Sequence, residues 1–215
     1  MCAYRKMYVC THYEYAGLND SNYKKELSWG KKIICKSEYA ADEVMDFLQT
    51  LEKKENGNIL WKQDERFVEE GFLAGRKVII KTIESSGFFS NLFQMGVVVN
   101  IWNNAHHAKS DGIPVLKPVA LVEKRSLRGT NASIIYLYEG IVADQTKLSG
   151  VLDLQMLLFQ KHITHHDFHL RNIVILEDGA VQLIDLDKMH WYPRYSYLFS
   201  YKMKKEKRRF SRDLD

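Results

Sequence analysis

The stretch of sequence that decides the fold runs His165-His166-Asp167-Phe168-His169-Leu170-Arg171-Asn172 and, after an apolar run and an Asp178-Gly179 pair, ends in Leu183-Ile184-Asp185-Leu186-Asp187. Residues 173–176 and 181–184 predict two short strands, and the Asp-Gly pair between them is a strong hairpin signal. Because the strands of a hairpin begin and end side by side, Asn172 and Asp185 are expected to lie close together at its open end.

The spacing of these polar residues is typical of a catalytic loop for phosphoryl transfer. In such a loop an Asp accepts the proton of the acceptor hydroxyl, an Asn five residues later binds Mg²⁺, and an Asp after a later strand binds the same ion. Asp167 is therefore the predicted base, and Asn172, Asp185 and Asp187 are predicted metal ligands, since this cation prefers oxygen. Each residue alone could equally be a polar cap at a strand end; the joint pattern favours a kinase-type site.

An upstream lysine fits the same chemistry. Lys81 follows Val78-Ile79-Ile80 in a predicted strand, like the lysine that binds ATP phosphates in kinases. An isolated match would more often be an ordinary exposed lysine, but the catalytic loop downstream reverses that preference. Lys81 is the predicted phosphate clamp.

The elements around Lys81 can be outlined from their patterns. Strands are predicted at 59–61, 67–72, 77–83, 119–122 and 133–138, a helix at 88–109, and a loop at 125–131. Residues 139–142 form the predicted hinge, where backbone groups of Glu139 and Ile141 meet adenine. In the next helix, Leu152, Met156 and Phe159 recur at helical spacing and predict the core-facing side.

The histidines of the loop have different expected roles. His165 is expected to be architectural and to hydrogen-bond the backbone near the metal-binding Asp. His169, two residues after the predicted base, is expected to meet the acceptor or a phosphate. Zinc binding by His162, His165, His166 and His169 is a less favoured alternative, because no cysteine lies nearby.

Residues 158–187 resemble the bacterial lipopolysaccharide core kinases, the Kdo and heptose kinase family, whose fold is protein-kinase-like. Asp185-Leu186-Asp187 looks like the Asp-Phe-Asp triplet of that family, and Gly112-Ile113-Pro114-Val115 with Pro118 looks like its connection from a helix to the next strand. The resemblance covers roughly residues 58–195. It implies ATP and Mg²⁺ as cofactors and a sugar hydroxyl of the lipopolysaccharide inner core as acceptor, in lipopolysaccharide biosynthesis.

Two features depart from the kinase pattern. No G-x-G-x-x-G precedes Lys81, and the predicted helix at 88–109 has no Asp or Glu to pair with that lysine. Asn100 or Asp185 is expected to orient Lys81 instead. These departures keep open a catalytically weak pseudokinase that acts as a binding module.

Composition predicts one compact catalytic unit. The 215 residues are 46% hydrophobic, enough for a substantial core. Three cysteines, Cys2, Cys10 and Cys35, have no metal-ligand spacing, so a reducing, cytoplasmic setting is expected. No signal peptide is visible, and the uncharged segment 85–105 has too many Asn and Ser residues to favour a membrane span.

The C-terminal segment is strongly basic. Residues 188–215 contain nine Lys or Arg against three Asp or Glu, a local net charge of +6, interleaved with Tyr and Phe. An anionic glycolipid acceptor or the inner membrane leaflet would suit this tail, whereas nucleic acid is a weaker candidate and a solvated end with no partner is equally open. Only 30 residues follow Asp185, too few for the peptide-docking platform of a protein kinase.

These patterns together predict an α+β, protein-kinase-like two-lobe fold with a reduced C-terminal lobe. The predicted divisions are residues 1–56, packed on the N-lobe with a function that the pattern does not define, 57–138 as the N-lobe, and 139–215 as the C-lobe with its basic tail. The predicted activity is an ATP- and Mg²⁺-dependent phosphotransferase with an alcohol acceptor. A small-molecule kinase of the aminoglycoside phosphotransferase type is the alternative enzyme.

Overall fold

The computed structural model describes residues 22–28, 30–53, 58–63, 66–86, 88–116, 118–126, 129–138, 140–143 and 148–214. The strands are β1 Tyr23–Ser28, β2 Lys31–Lys36, β3 Asn58–Gln63, β4 Arg66–Leu73, β5 Arg76–Ser86, β6 Pro118–Ser126, β7 Gly129–Leu137, β8 Gly140–Val142, β9 Ile163–Thr164, β10 Ile173–Leu176, β11 Val181–Leu183 and β12 His190–Trp191. The helices are α1 Ala41–Lys53, α2 Phe88–Ser110, α3 Leu148–Gln160 and α4 Tyr197–Leu214.

Within the described ranges, seven strands form one sheet in the order β1-β2-β6-β7-β5-β4-β3, and every neighbouring pair is antiparallel. Strand β5 lies inside this sheet, where Lys81 is opposite Val68 of β4 and Ile134 of β7. The backbone that carries Lys81 is therefore held by hydrogen-bonded strands on both sides.

Alternation of side chains along the strands gives the sheet two apolar faces. Ile33, Val122 and Ile135 belong to a core with helix α1, whereas their neighbours Ile34, Leu121 and Ile134 belong to a core with helix α2. Successive residues of a strand point to opposite faces, so a run of two or three apolar residues supplies both cores. The sheet is covered by one helix on each face.

A third core surrounds the hairpin of β10 and β11. Strand β8 pairs with β10, β9 pairs with β12, and helices α3 and α4 pack against β9. Ile113 and Val115, in the connection from α2 to β6, join this core, and Leu116 donates its N–H to the carbonyl of Leu183. This connection ties the hairpin to the large sheet.

The predicted α+β class is confirmed, and the architecture is compatible with a kinase-like fold. The predicted loop 125–131 is too long, because β6 continues to Ser126 and β7 begins at Gly129. Residues 31–35 pair directly with β6, so this part of the predicted segment 1–56 contributes a strand to the sheet.

The predicted core face of α3 is wrong for two of its three residues. The side chains of Leu152 and Met156 are 42% and 49% exposed, and the buried face carries Val151, Leu154 and Leu158 instead. Apolar residues surround most of this helix, so a short run at helical spacing fits more than one face.

The basic segment is not a free tail. Phe199, Glu206 and Phe210 of α4 are buried, and the ring of Phe210 packs edge-on against Phe168 of the predicted catalytic loop at 5.2 Å. Lysine and arginine side chains occupy the opposite side of the helix. Among the described helices, none combines the length and the apolar character needed to cross a membrane.

Candidate active site

A cleft of about 500 Å³ lies between the large sheet and the β10–β11 hairpin. Its apolar lining includes Ile79, Leu116, Tyr136 and Ile184. Its charged and polar lining includes Lys81, Asp167, Asn172, Asp185, Asp187 and Lys188. Five of the predicted site residues, Lys81, Asp167, Asn172, Asp185 and Asp187, therefore meet in one concave site with an apolar wall, the usual form of a small-molecule pocket.

Each polar motif in the cleft is anchored by a buried apolar residue. Phe168, between Asp167 and His169, and Leu186, between Asp185 and Asp187, are almost completely buried in the core beneath the site. Asn104 of α2 donates from Nδ2 to the carbonyl of Leu186 at 2.6 Å. The carboxylates are thus carried on backbone that the core holds in place.

Lys81 and Asp185 form an ion pair across the cleft, from strand β5 to the end of the hairpin. Burial raises the pKa of the Asp185 carboxyl, but the charge and hydrogen bond of Lys81 outweigh it, and the net pKa lies below the usual range. Asp185 has a left-handed backbone with φ of 59°, a conformation that Asp tolerates better than most residues. Asp185 therefore orients Lys81, whereas Asn100 is exposed to solvent.

Both carboxylate oxygens of Asp167 have partners. Nε2 of His169 lies 3.0 Å from Oδ1, and Lys188 donates from Nζ to Oδ2 at 3.1 Å. Burial raises the pKa of Asp167, but Lys188 and His169 together lower it to a net value below its usual range. The carboxyl is therefore ionised at neutral pH, the state in which it can accept a proton.

The arrangement of Asn172 and Asp187 fits a divalent cation. Asn172 donates from Nδ2 to the carbonyl of Asp167 at 2.8 Å, which leaves its side-chain oxygen as the possible ligand. Oδ1 of Asp187 is buried and has no hydrogen-bond partner among the described residues. Burial and the neighbouring charge of Asp185 raise the pKa of Asp187, a cost that a bound cation would remove.

Among the described residues, histidine, cysteine and carboxylate side chains alone form no group of three or more that could hold a metal ion. The amide oxygen of Asn172 is therefore needed to complete the candidate magnesium set, and this composition suits a hard cation better than zinc.

His165 has the backbone contact expected of an architectural residue. Its Nε2 donates to the carbonyl of Asp185 at 3.0 Å, and its ring is completely buried. Burial lowers the pKa of His165, so the ring is neutral. This bond links the predicted catalytic loop to the loop that carries the candidate metal-site carboxylates.

Helix α4 contacts the other side of the predicted catalytic loop through a buried acid. Oε2 of Glu206 accepts the backbone N–H of His165 at 2.9 Å and that of His166 at 2.8 Å, and Arg209 donates to the carbonyl of His166 at 2.9 Å. His166 has φ of 58°, a left-handed conformation that these three bonds stabilise directly before Asp167. Burial raises the pKa of Glu206 to about 7, although the two N–H groups and Arg209 oppose the shift.

Replacement of Glu206 by Gln is expected to change how the stability of the protein depends on pH. A folded pKa of about 7 against an ordinary value of 4.5 means that folding favours the protonated acid. Its contribution is complete below about pH 4.5 and is lost as the pH rises through about 7, a loss of roughly 3 kcal/mol. Glu206→Gln keeps an acceptor oxygen but cannot ionise, so urea unfolding should show it gaining stability over the parent between pH 5 and pH 8.

Burial and neighbouring charges lower the pKa of His166 to about 4, so this histidine also makes stability depend on pH, but it does so in the parent and in the variant alike and cancels in the difference between them. Glu206→Leu is the matched comparison, since it removes the acceptor and should be destabilised at both pH values. The same stability difference between parent and Glu206→Gln at pH 5 and pH 8 would show that Glu206 does not titrate in this range.

Three other residues that the sequence predicted for the site are not among the described residues that line the cleft. Ile141 lies in β8 opposite Ile175, its side chain is 66% exposed, and it is not among the described residues that line the cleft. Glu139 falls outside the described residues. His169 contacts Asp167 directly, although it does not itself line the cleft.

Sequence reasoning missed two residues of this site. Lys188 lies one position beyond the motif that was recognised, and nothing in its local pattern marks it. Glu206 did carry a signal, because Phe199, Met203, Glu206, Phe210 and Leu214 recur at the spacing of one helix face. The single acid on an otherwise apolar stripe predicts a buried carboxylate with a specific partner.

This chain is similar to a known protein in its structure but not in its sequence. No family model matches the sequence, and no curated protein matches it. The structure is similar to that of WaaP in complex with acyl carrier protein, with a TM-score of 0.51 and 13% sequence identity over 80% of this chain and 81% of that chain. At this identity the similarity establishes a shared fold, and function has to be argued from the site.

Proposed function

We propose that this protein is an ATP- and Mg²⁺-dependent kinase that phosphorylates a sugar hydroxyl, Kdo or heptose, of a lipopolysaccharide inner core. The observation that carries the proposal is the cleft in which Lys81, Asp167, Asn172 and the Asp185–Asp187 pair come together from two separate parts of the fold. The choice of acceptor is supported by the resemblance of residues 158–187 to the lipopolysaccharide core kinases, and the fold shared with WaaP is compatible with it.

The proposed roles follow from charge and position. Asp167 accepts the proton of the acceptor hydroxyl, and His169 keeps its carboxylate oriented. Lys81, the cation of the inner strand, neutralises phosphate charge when nucleotide is bound. Tyr136 and Leu116 offer apolar surface for adenine. In this proposal the large sheet forms the N-lobe and the hairpin region forms the C-lobe.

Magnesium would be held by Asn172, Asp185 and Asp187. When bound, it supplies charge neutralisation to the triphosphate. The buried, unpartnered oxygen of Asp187 supports this assignment. With Lys81 also in the cleft, the protein presents carboxylates for a cation and a cation for phosphate within one cavity.

Labelled ATP and Mg²⁺ should transfer label to dephosphorylated core oligosaccharides, and not to aminoglycosides or to a generic protein offered in parallel. Label on aminoglycosides alone would replace the proposed acceptor with a small-molecule substrate. Binding of Mg²⁺·ATP with no transfer to any member of the panel would favour a pseudokinase. Absence of nucleotide binding would contradict the proposal as a whole.

The exposed side of α4 is the proposed contact for an anionic acceptor or the inner membrane leaflet. Tyr201, Lys204, Lys205, Arg208 and Arg212 lie on this side, around a shallow concave surface. The structural neighbour WaaP was determined with acyl carrier protein, so a protein is the second candidate partner for this surface. A cytoplasmic protein that reaches the membrane only at its periphery is consistent with either partner.

Reversal of charge on this side of α4 tests the membrane contact without disturbing the buried side. Lys204→Glu/Arg208→Glu should bind vesicles of phosphatidylcholine and phosphatidylglycerol at least roughly 30-fold more weakly than the parent, since each basic residue near an anionic surface contributes about 1 kcal/mol. Co-sedimentation measures the change. High salt should produce the same loss in the parent, because it shortens the screening length.

Lys24→Glu/Lys25→Glu is the matched control, since it reverses two exposed lysines on the edge strand β1. Equal binding by the α4 variant and this control would show that α4 is not the membrane contact. Deletion of the whole segment is a poor test, because Phe199 and Phe210 belong to the packed interior.

A further inference from the structure

Lys188 contacts Asp167, the candidate base, and none of the roles proposed above uses it. Its ammonium lies 3.1 Å from Oδ2 of Asp167, while Oδ1 of the same carboxylate faces His169. Oδ2 also accepts a longer bond, 3.4 Å, from Nδ2 of Asn172, a buried side chain that the backbone carbonyl of Asp167 holds at 2.8 Å. Because two donors already occupy Oδ2, an acceptor hydroxyl that binds there has to displace one of them, and Asn172 is the fixed one.

The side chain of Lys188 is the partner that can move. It is 49% exposed, whereas the side chain of His169 is 20% exposed. The backbone beneath it is fixed, since Leu186 and Met189 are buried and Met189 donates its N–H to the carbonyl of Leu186. Lys188 thus has a movable side chain on a fixed stretch of backbone, at the edge of the cleft.

The charge of Lys188 reaches all three carboxylates of the site. Burial is the largest influence on the pKa of Asp167, Asp185 and Asp187 and raises it, and the ammonium of Lys188 acts in the opposite direction on each. Lys81, the other lysine of the cleft, is paired with Asp185. Lys188 therefore lines the same cleft as the candidate metal ligands, and its ammonium directly contacts the candidate base.

We propose that Lys188 is a catalytic residue that moves from Asp167 to the transferred phosphoryl group when the acceptor binds. The inference rests on the proposed function and assigns a second phosphate-binding cation, on the acceptor side, in addition to Lys81. In the resting protein Lys188 neutralises the base, and in the reacting complex it donates to an equatorial oxygen of the phosphoryl group.

The chemical step that Lys188 assists is a single displacement at the γ-phosphorus of ATP. The acceptor oxygen forms a bond to this phosphorus while the bond from phosphorus to the β–γ bridging oxygen breaks, and ADP leaves with the electron pair. The acceptor proton passes to Oδ2 of Asp167, the oxygen that Lys188 has vacated. Negative charge on the equatorial oxygens is compensated by the ammonium, as by other fixed cations in phosphoryl transfer.

The experiment compares Lys188→Met, which removes the charge, with Lys188→Arg, which keeps it. Lys188→Met is expected to lower kcat for transfer from ATP to core oligosaccharide by roughly 10² to 10³, the usual effect of losing one preorganised donor. The KM for ATP and the Kd for Mg²⁺·ADP, measured by calorimetry, are expected to stay the same, because the contact forms only in the reacting complex. Lys188→Arg should retain most of the turnover.

Lys161→Met is the matched control, since it removes an exposed lysine at the end of α3 that does not line the cleft. Lys188→Gln gives a second uncharged variant, with the same expectation, should the methionine variant fail to fold. Turnover by Lys188→Met equal to that of Lys161→Met, or an equal loss in kcat and in Mg²⁺·ADP affinity, would overturn the role of Lys188 alone. A parent protein that neither binds Mg²⁺·ATP nor transfers label would instead overturn the proposed function.

Discussion

Asp167→Asn is expected to lower turnover by roughly 10² to 10⁴ while leaving the affinity for Mg²⁺·ATP nearly unchanged. The magnitude is the usual contribution of a positioned general base. Asn keeps the size of the side chain and one oxygen that can still accept a hydrogen bond, so the loop should keep its conformation. Single-turnover transfer of label from ATP to core oligosaccharide measures the chemical step, and calorimetry measures the nucleotide affinity.

Asp153→Asn is the control for this substitution, because Asp153 is exposed on α3. Both variants should melt at the temperature of the parent. Turnover of Asp167→Asn at the level of Asp153→Asn would exclude Asp167 as the base. A lowered melting temperature in Asp167→Asn alone would mean that its contacts with Lys188 and His169 are structural.

Asp185→Asn is expected to abolish the dependence of nucleotide affinity on Mg²⁺. The substitution removes the charge that faces both Lys81 and the candidate metal position, so the cation and the triphosphate lose their main compensating group. Calorimetry with ATP in Mg²⁺ and in EDTA should give the same affinity for this variant and different affinities for the parent. Asp187→Asn should show a smaller loss, since its carboxyl already has a raised pKa.

The control for charge is Asp178→Asn, in the hairpin turn, where the side-chain oxygen can still accept the N–H of Ala180. Asp185→Ala is the more severe version, because it leaves Lys81 partly buried without its partner and should also destabilise the protein by roughly 3 to 5 kcal/mol. An unchanged difference between Mg²⁺ and EDTA in Asp185→Asn would remove Asp185 from the candidate metal set.

The candidate site was predictable where its geometry is local. The hairpin of β10 and β11 forms as expected around Asp178-Gly179, with Gly179 at φ of 83°, and it brings the backbone of Asn172 and Ile184 within hydrogen-bonding distance at 2.9 Å. His165 reaches the carbonyl of Asp185 for the same reason, because the hairpin returns the chain to its starting point. Turn chemistry and strand alternation depend on neighbours a few residues apart, which the sequence displays directly.

Which face of a helix is buried was less predictable from the sequence than where the helix lies in the chain. The helix α3 lies in the expected part of the chain, but Leu152 and Met156 face solvent. Its sequence has apolar residues on several sides, and only the position of β9, β11 and the surrounding core selects the buried one. The sheet likewise begins earlier than predicted, since β1 and β2 join it through pairing with β6, a contact between residues almost ninety positions apart.

The sequence by itself determined the α+β class, the hairpin, and the residue types of the candidate site, because these depend on local stereochemistry and on the spacing of a few side chains. Only the tertiary structure decided that Lys81 pairs with Asp185, that Lys188 faces Asp167, and that Glu206 supports the loop. Lys81 and Asp185 are 104 positions apart in the sequence, Glu206 is 41 positions from His165, and Lys188 is 21 positions from Asp167. Contacts over such distances arise from how helices and sheets pack, and burial then turns an ordinary surface residue such as Glu206 into a specific partner of the backbone.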